Sequence, residues 1–304
     1  MTLYVLLFRH PFPPALLCAL LWGSAFPAIK NVYAHWDSQS LERTLPMILL
    51  FAGVRFSASG FGLLLFGKNI SAELRVTPWK LLLGFALTQT FIQYIFFYQA
   101  VAASSASLAA LLVATGSFWW MLLSPLIQKS PWPSAMQWLG LVIGGTGVTV
   151  AVYAPGAGAG NPLLGAIFML CATASGALAL LLFQRIKPTM SSINATGISL
   201  FTGGVSLILV SFQAIGSFQE MFSNPVIGST LWLALVSAAA FSIWNHLSSI
   251  FPVTLLASYR FLIPICGVLE ALLFLPGESA GWGLLVGGAL VVLSMIWAQR
   301  SKRI

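Results

Sequence analysis

Apolar residues fill this chain in long, nearly unbroken runs, separated by short clusters of proline, glycine and charge. A helix needs roughly 20 apolar residues to cross about 30 Å of hydrocarbon, and only helices or closed barrels satisfy every backbone group in lipid. The runs are too long for barrel strands, so the pattern predicts helices. Ten spans are expected, at about 14–34, 46–66, 79–99, 104–128, 136–154, 162–184, 193–215, 228–249, 252–274 and 280–298. The breaks hold residues that end helices: 68–78 is polar, 129–133 carries two prolines and 154–162 reads APGAGAGNP. Between the third and fourth spans only 102–104 is available, and length decides, because 79–128 is too long for one crossing. The run after Arg9 has the length of a full span and lacks a small-residue cleavage pattern, so a retained first helix is expected.

Composition turns this pattern into a membrane assignment. Of 304 residues, 59% are hydrophobic and 7% charged, against roughly 25% charged in soluble domains, too few to build a wetted shell. The net charge of +8 would suit nucleic acid in a soluble protein, but here the basic residues are scattered between apolar runs, and no nucleic-acid partner is expected. They read as topology determinants. With a cytoplasmic N-terminus, the inner loops and ends hold Arg9, Lys68, Arg75, Lys80, Lys129, Arg185, Lys187, Arg300, Lys302 and Arg303, and the outer segments only Lys30 and Arg43. Both ends are therefore expected inside, in the inner (cytoplasmic) membrane. Cys18, Cys171 and Cys266 fall within apolar stretches and suggest neither disulfide nor metal. No HExxH, no P-loop and no GxSxG in a strand-to-helix setting is present, so neither enzymatic activity nor a cofactor is expected.

The two halves of the chain echo each other. Leu17-Cys18-Ala19 with Gly23 recurs as Leu170-Cys171-Ala172 with Gly176, and Leu50-Phe51-x-Gly53 recurs as Leu200-Phe201-x-Gly203. Gly140-x-x-x-Gly144-Gly145 recurs as Gly283-x-x-x-Gly287-Gly288. These matches pair the first span with the sixth, the second with the seventh and the fifth with the tenth. Five helices per half, at 1–155 and 156–304, would insert the second half upside down, with a site expected near the midplane between them. The repeated GxxxG would let helices approach closely, either within one chain or across a homodimer.

With that architecture, the chain resembles the EamA-like branch of the drug/metabolite transporter superfamily over almost its whole length. The resembling segments are Trp22 to Lys30 (WGSAFPAIK), Val54-Arg55-Phe56, Phe96-Phe97-Tyr98, Trp244-Asn245, and Phe261 to Leu269 (FLIPICGVL) leading to Pro276-Gly277-Glu278. Cys266, Glu270 and Arg260 depart from the usual family pattern. The resemblance implies an all-α integral membrane protein, a secondary carrier that works by alternating access. It would export small polar metabolites such as amino acids through a cavity lined by spans 1, 3, 4, 6, 8 and 9. A proton or an exchanged solute would be its second partner. Exchange or import of phosphorylated or nucleotide-linked metabolites, and a non-transporting scaffold, are the alternatives.

Charge at the bilayer centre costs about 2.5–3.5 kcal/mol on insertion scales, which makes intramembrane Arg55, Arg260 and Glu270 functional candidates. Arg260, with Arg55, would bind a carboxylate or phosphate, or each would bond helix-end carbonyls instead. Glu270 lies ten residues beyond Arg260, roughly 15 Å along a helix, too far to pair with it. It is either a proton-coupling carboxylate, since burial disfavours its charge, or a structural group. Gln89 and Gln93 are four residues apart and share a face, as cavity residues or interhelical glue. Tyr98 is carried as a cavity residue. Pro264 is expected to bend the ninth span and Gly267 to thin the next turn, as a hinge or as a fixed kink.

Overall fold

The computed structural model describes residues 10–153, 160–251, 255–256 and 259–300, with side chains up to residue 297. Among these, every regular element is helical. Eight helices are long and apolar enough to cross a membrane: α1 (Phe12–Ser38), α2 (Leu45–Leu65), α3 (Trp79–Ala103), α4 (Ala106–Gln128), α5 (Ala135–Tyr153), α6 (Pro162–Ile186), α7 (Ser192–Val210) and α8 (Asn224–Ile250). Two more apolar helices follow, α9 (Leu262–Phe274) and α10 (Trp282–Arg300). Their chain order matches that of the ten expected spans. The main difference lies at the ninth, where 252–274 was expected: the chain turns at Arg260 and Phe261, and α9 has 13 residues. Residues 252–254 and 257–258 of that expected span lie outside the described ones.

Local chemistry explains the boundaries. The barely visible break between α3 and α4 is a capped turn: Ser105 adopts extended backbone angles and its hydroxyl accepts from the Leu108 amide at 3.2 Å. Asn161 and Ser191 cap α6 and α7 in the same way, accepting from Leu164 N and Asn194 N. Two carboxylates tie helix starts to distant loops. Glu278 accepts from Ala106 N and Ser107 Oγ, both at 2.7 Å, at the start of α4. Glu73 accepts from Ser191 N at 3.0 Å and Asn194 Nδ2 at 2.7 Å, at the start of α7 and the opposite end of the bundle.

The packing has a regular plan. α2 pairs with α7, α5 with α10 and α4 with α9, while α1 packs on α8 and α9 and α6 on α3 and α4. Exchanging the first five helices for the last five leaves this list unchanged. Two of the pairings are glycine seams. A Cβ on Gly53 would fall 2.9 Å from the Gly204 carbonyl oxygen, and one on Gly204 would fall 2.9 Å from that of Gly53. On α5, a Cβ at Gly147 would lie 2.7 Å from the Gly287 oxygen of α10. Such backbone-to-backbone approach is open only to glycine, and it places the repeated small-residue faces of α5 and α10 against each other within one chain.

Where α1 ends, Tyr33, Trp36, Phe51 and Tyr98 are wholly buried and interlocked. Phe51 lies edge-on to Trp36 and Tyr98, with ring centroids at 5.6 and 5.9 Å. Two hydrogen bonds fix this plug: Trp36 Nε1 donates to the Met221 carbonyl at 3.0 Å and Tyr33 Oη to that of Tyr98 at 3.2 Å. The bundle is thus closed at this end by side chains of α1, α2 and α3 and the segment before α8.

Candidate functional site

Below the plug, the helices separate around a cavity of about 110 Å³, walled by α1, α2, α3, α4, α6, α8 and the turn and first residues of α9. Among the described residues its wall contains two cations, Arg55 and Arg260, and no Asp, Glu, Lys or His. Arg55, at mid-length in α2, is 2% exposed. Its guanidinium carbon stands 4.2, 5.4 and 5.3 Å from the ring centres of Phe56, Tyr94 and Tyr98, and Nε and Nη1 have no hydrogen-bond partner. The aromatic faces hold the cation without discharging its donors. Arg260 projects from the turn before α9, its guanidinium carbon 5.9 Å from the Trp244 ring. It fits because position 116 is glycine: a Cβ there would lie 2.9 Å from Nη2. Among the described residues the ion pair found is Arg43 with Asp37, at 2.8 Å on the surface, so neither cavity arginine has an acidic partner there.

Between the two arginines runs a file of rings. Tyr94, beside Arg55, faces Phe241 at 6.4 Å; Phe241 meets Trp22 at 5.4 Å, and Trp22 meets Trp244, beside Arg260, at 5.6 Å. Helical spacing builds this wall. Phe241, Trp244 and Asn245 share one face of α8, as Trp22 and Phe26 share one face of α1.

A polar band also lies on α3. Residues Leu87–Ile92 form a π-helical turn, a local widening common at functional sites, and it carries Thr88, Gln89 and Thr90. Gln89 donates to Ser199 Oγ at 3.1 Å and accepts from Asn245 Nδ2 at 3.2 Å, and Asn245 also reaches Thr196 Oγ1 at 2.8 Å. Ser175 of α6 donates to the Thr88 carbonyl at 2.7 Å. Gln93, one turn on, lies against Gly176, where a Cβ would fall 2.7 Å from its Oε1.

Arg55, Arg260, Gln89 and Gln93 are therefore brought together in one wall. Tyr98 is not part of it: fully buried, it stands behind Arg55 within the plug. Glu270 also lies away from the cavity, facing α1, with Oε1 2.9 Å from where a Gly23 Cβ would be and Oε2 unpartnered. Pro264 follows a break: Leu255, Leu256 and Tyr259 are helical, and the chain turns at Arg260 and Phe261 before α9 begins. It is the third residue of α9, where its missing amide costs no helical hydrogen bond. Gly267 makes room for close packing, as a Cβ there would meet Ala110 at 2.7 Å and Phe26 at 3.3 Å. Trp22, Phe241, Asn245 and Thr173 line the cavity without having been singled out as site residues; their shared helix faces were the available signal.

Comparison with known proteins agrees with this architecture. Residues 14–153, which span α1 to α5, match the EamA-like transporter family. The chain is 27% identical over 291 residues to the Uncharacterized transporter YvbV of Bacillus subtilis (strain 168), covering 92% of this chain and 90% of that protein. Its fold is similar to a crystal structure of a protein 16% identical to it, with a TM-score of 0.63, over 97% of this chain and 99% of the other. An all-helical array of apolar spans around a central cavity, joined to these sequence matches, supports a multi-pass membrane transporter, similar over residues 14–153 to the EamA-like transporter family.

Proposed function

We propose that the protein is a secondary carrier that moves a small polar organic metabolite outward across the cytoplasmic membrane by alternating access. Residues 1–155 and 156–304 act as two inverted halves of five spans each, with both chain ends in the cytoplasm. The observation that carries the reading is the cavity: helices from both halves wall it, it holds hydrogen-bonding and cationic groups at mid-membrane, and aromatic packing shuts it at the end where α1 finishes. The exchange symmetry of the helix pairings supports the inverted relation. In the proposed orientation the plug is the outer gate, and the cavity extends from Phe26 and Phe97 towards Arg260 and Leu180 on the cytoplasmic side.

Buried cations with free donors favour substrates that bear an acidic group, which also gives weight to exchange or import of phosphorylated metabolites. Purified protein in liposomes tests the carrier reading. Saturable, competable flux of a metabolite is expected, with inward-loaded and outward-loaded vesicles distinguishing direction. Absence of flux for every anionic, zwitterionic and neutral solute class would leave a scaffold as the explanation.

A further inference from the structure

We infer that the cavity is built for an organic dianion with a flat apolar body, one acidic group resting on Arg55 and the other on Arg260. This rests on the carrier reading above and names its substrate class.

Charge comes first. Arg55 and Arg260 both line the cavity and, among the described residues, no acidic side chain does, so an occupant with two negative charges leaves the loaded site neutral. Arg55 Nε and Nη1 lack both acceptors and exposed surface, which leaves the guanidinium charge unneutralised and attractive to an anion in the cavity. A zwitterionic amino acid supplies one carboxylate and adds an ammonium. That ammonium would find no carboxylate in the wall, two cations nearby, and the Gln89 amide oxygen already accepting from Asn245.

Spacing comes second. The arginines rest on different aromatic supports: Arg55 on Tyr94 of α3 and Arg260 on Trp244 of α8, linked through Phe241 and Trp22. Each consecutive pair in that file is in ring-to-ring contact, between 5.4 and 6.4 Å. A planar body laid along this wall gains aromatic contact over its length, and its two ends reach the two cations. A compact anion such as a single phosphate would engage one arginine and leave the rings uncovered.

Binding to the purified full-length protein tests this with named probes: naphthalene-2,6-dicarboxylate, 2-naphthoate, phenyl phosphate and phenylalanine. A second charge-assisted pair predicts the dicarboxylate to bind tighter than 2-naphthoate by about 10- to 100-fold. In Arg55→Gln and in Arg260→Gln that preference should fall to near unity while 2-naphthoate still binds, which serves as the folding control. Arg260→Lys should retain the preference within a few-fold. Equal affinity for mono- and dicarboxylate, an unchanged preference in both glutamine variants, or tighter binding of phenyl phosphate or phenylalanine would overturn the assignment. Liposome flux separates the two levels: saturable movement of an amino acid that the dicarboxylate neither accompanies nor inhibits sinks the dianion and leaves the carrier. Binding of the dicarboxylate without flux of any solute sinks the carrier and leaves the site.

Discussion

The glycine seams and the cavity wall sit side by side in this bundle and follow opposite rules. Along α2–α7 and α5–α10, backbones touch through Gly53 with Gly204 and Gly147 with Gly287, leaving no room for a methyl group. Around the cavity, the α1–α8 and α3–α6 pairs leave a space between them that large rings and amides fill incompletely, and Arg55 keeps unpaired donors. The seams maximise van der Waals contact, which is what holds helices together where lipid removes the hydrophobic drive. The wall forgoes that contact and places cationic and amide side chains around an open space. Stability and function are thereby placed on different helix pairs, and substitutions should separate them.

The largest effect is expected at a seam. Gly53→Leu forces a side chain into the Gly204 backbone and should cost about 3 kcal/mol, the upper end of overpacking, seen as a marked fall in thermal unfolding temperature in detergent. An unfolding temperature equal to that of the unsubstituted protein would mean the seam is loose. Next, Arg260→Gln should lower transport about 10- to 100-fold yet leave unfolding temperature unchanged or raised, because it removes a buried cation that lacks an acidic partner among the described residues. A large loss of stability instead would make Arg260 structural. Asn245→Ala deletes two hydrogen bonds of the polar band and should cost about 1 kcal/mol, since such bonds in membranes average near 0.6 kcal/mol. Smallest is Pro264→Ala. At the first turn of α9 the proline neither bends nor breaks the helix, so both flux and stability should stay within about twofold and 0.5 kcal/mol. A severe transport defect would restore a hinge at that position.

Much of the seam was readable from sequence, and less of the wall. Runs of apolar length and the recurrence of Gly140-x-x-x-Gly144 at Gly283 predict spans and their close pairing, because a short side chain has one main use in lipid. Arg55, Arg260, Gln89 and Gln93 stood out as charged or amide side chains inside long apolar runs. The rings did not stand out. Trp22, Phe241 and Trp244 are three among 39 aromatic residues (11 Trp, 6 Tyr and 22 Phe), and which of them faces lipid, plug or cavity depends on helix rotation. Tyr98 illustrates this: it follows Tyr94 by one turn of α3, yet it is buried in the plug while Tyr94 reaches the cavity. Pro264 is expected inside a continuous ninth span; instead Leu255, Leu256 and Tyr259 are helical, the chain turns at Arg260 and Phe261, and α9 restarts two residues before the proline.

Thiol accessibility tests alternating access most directly. In a background with Cys18, Cys171 and Cys266 replaced, a single cysteine at Ser237 in the cavity wall and another at Ser294, buried in the α5–α10 seam beside Gly144, are challenged with a membrane-impermeant reagent from each side. The account predicts that position 237 is labelled from both sides and protected by bound substrate, while position 294 is labelled from neither. Labelling of position 237 from one side only, with and without substrate, would contradict it.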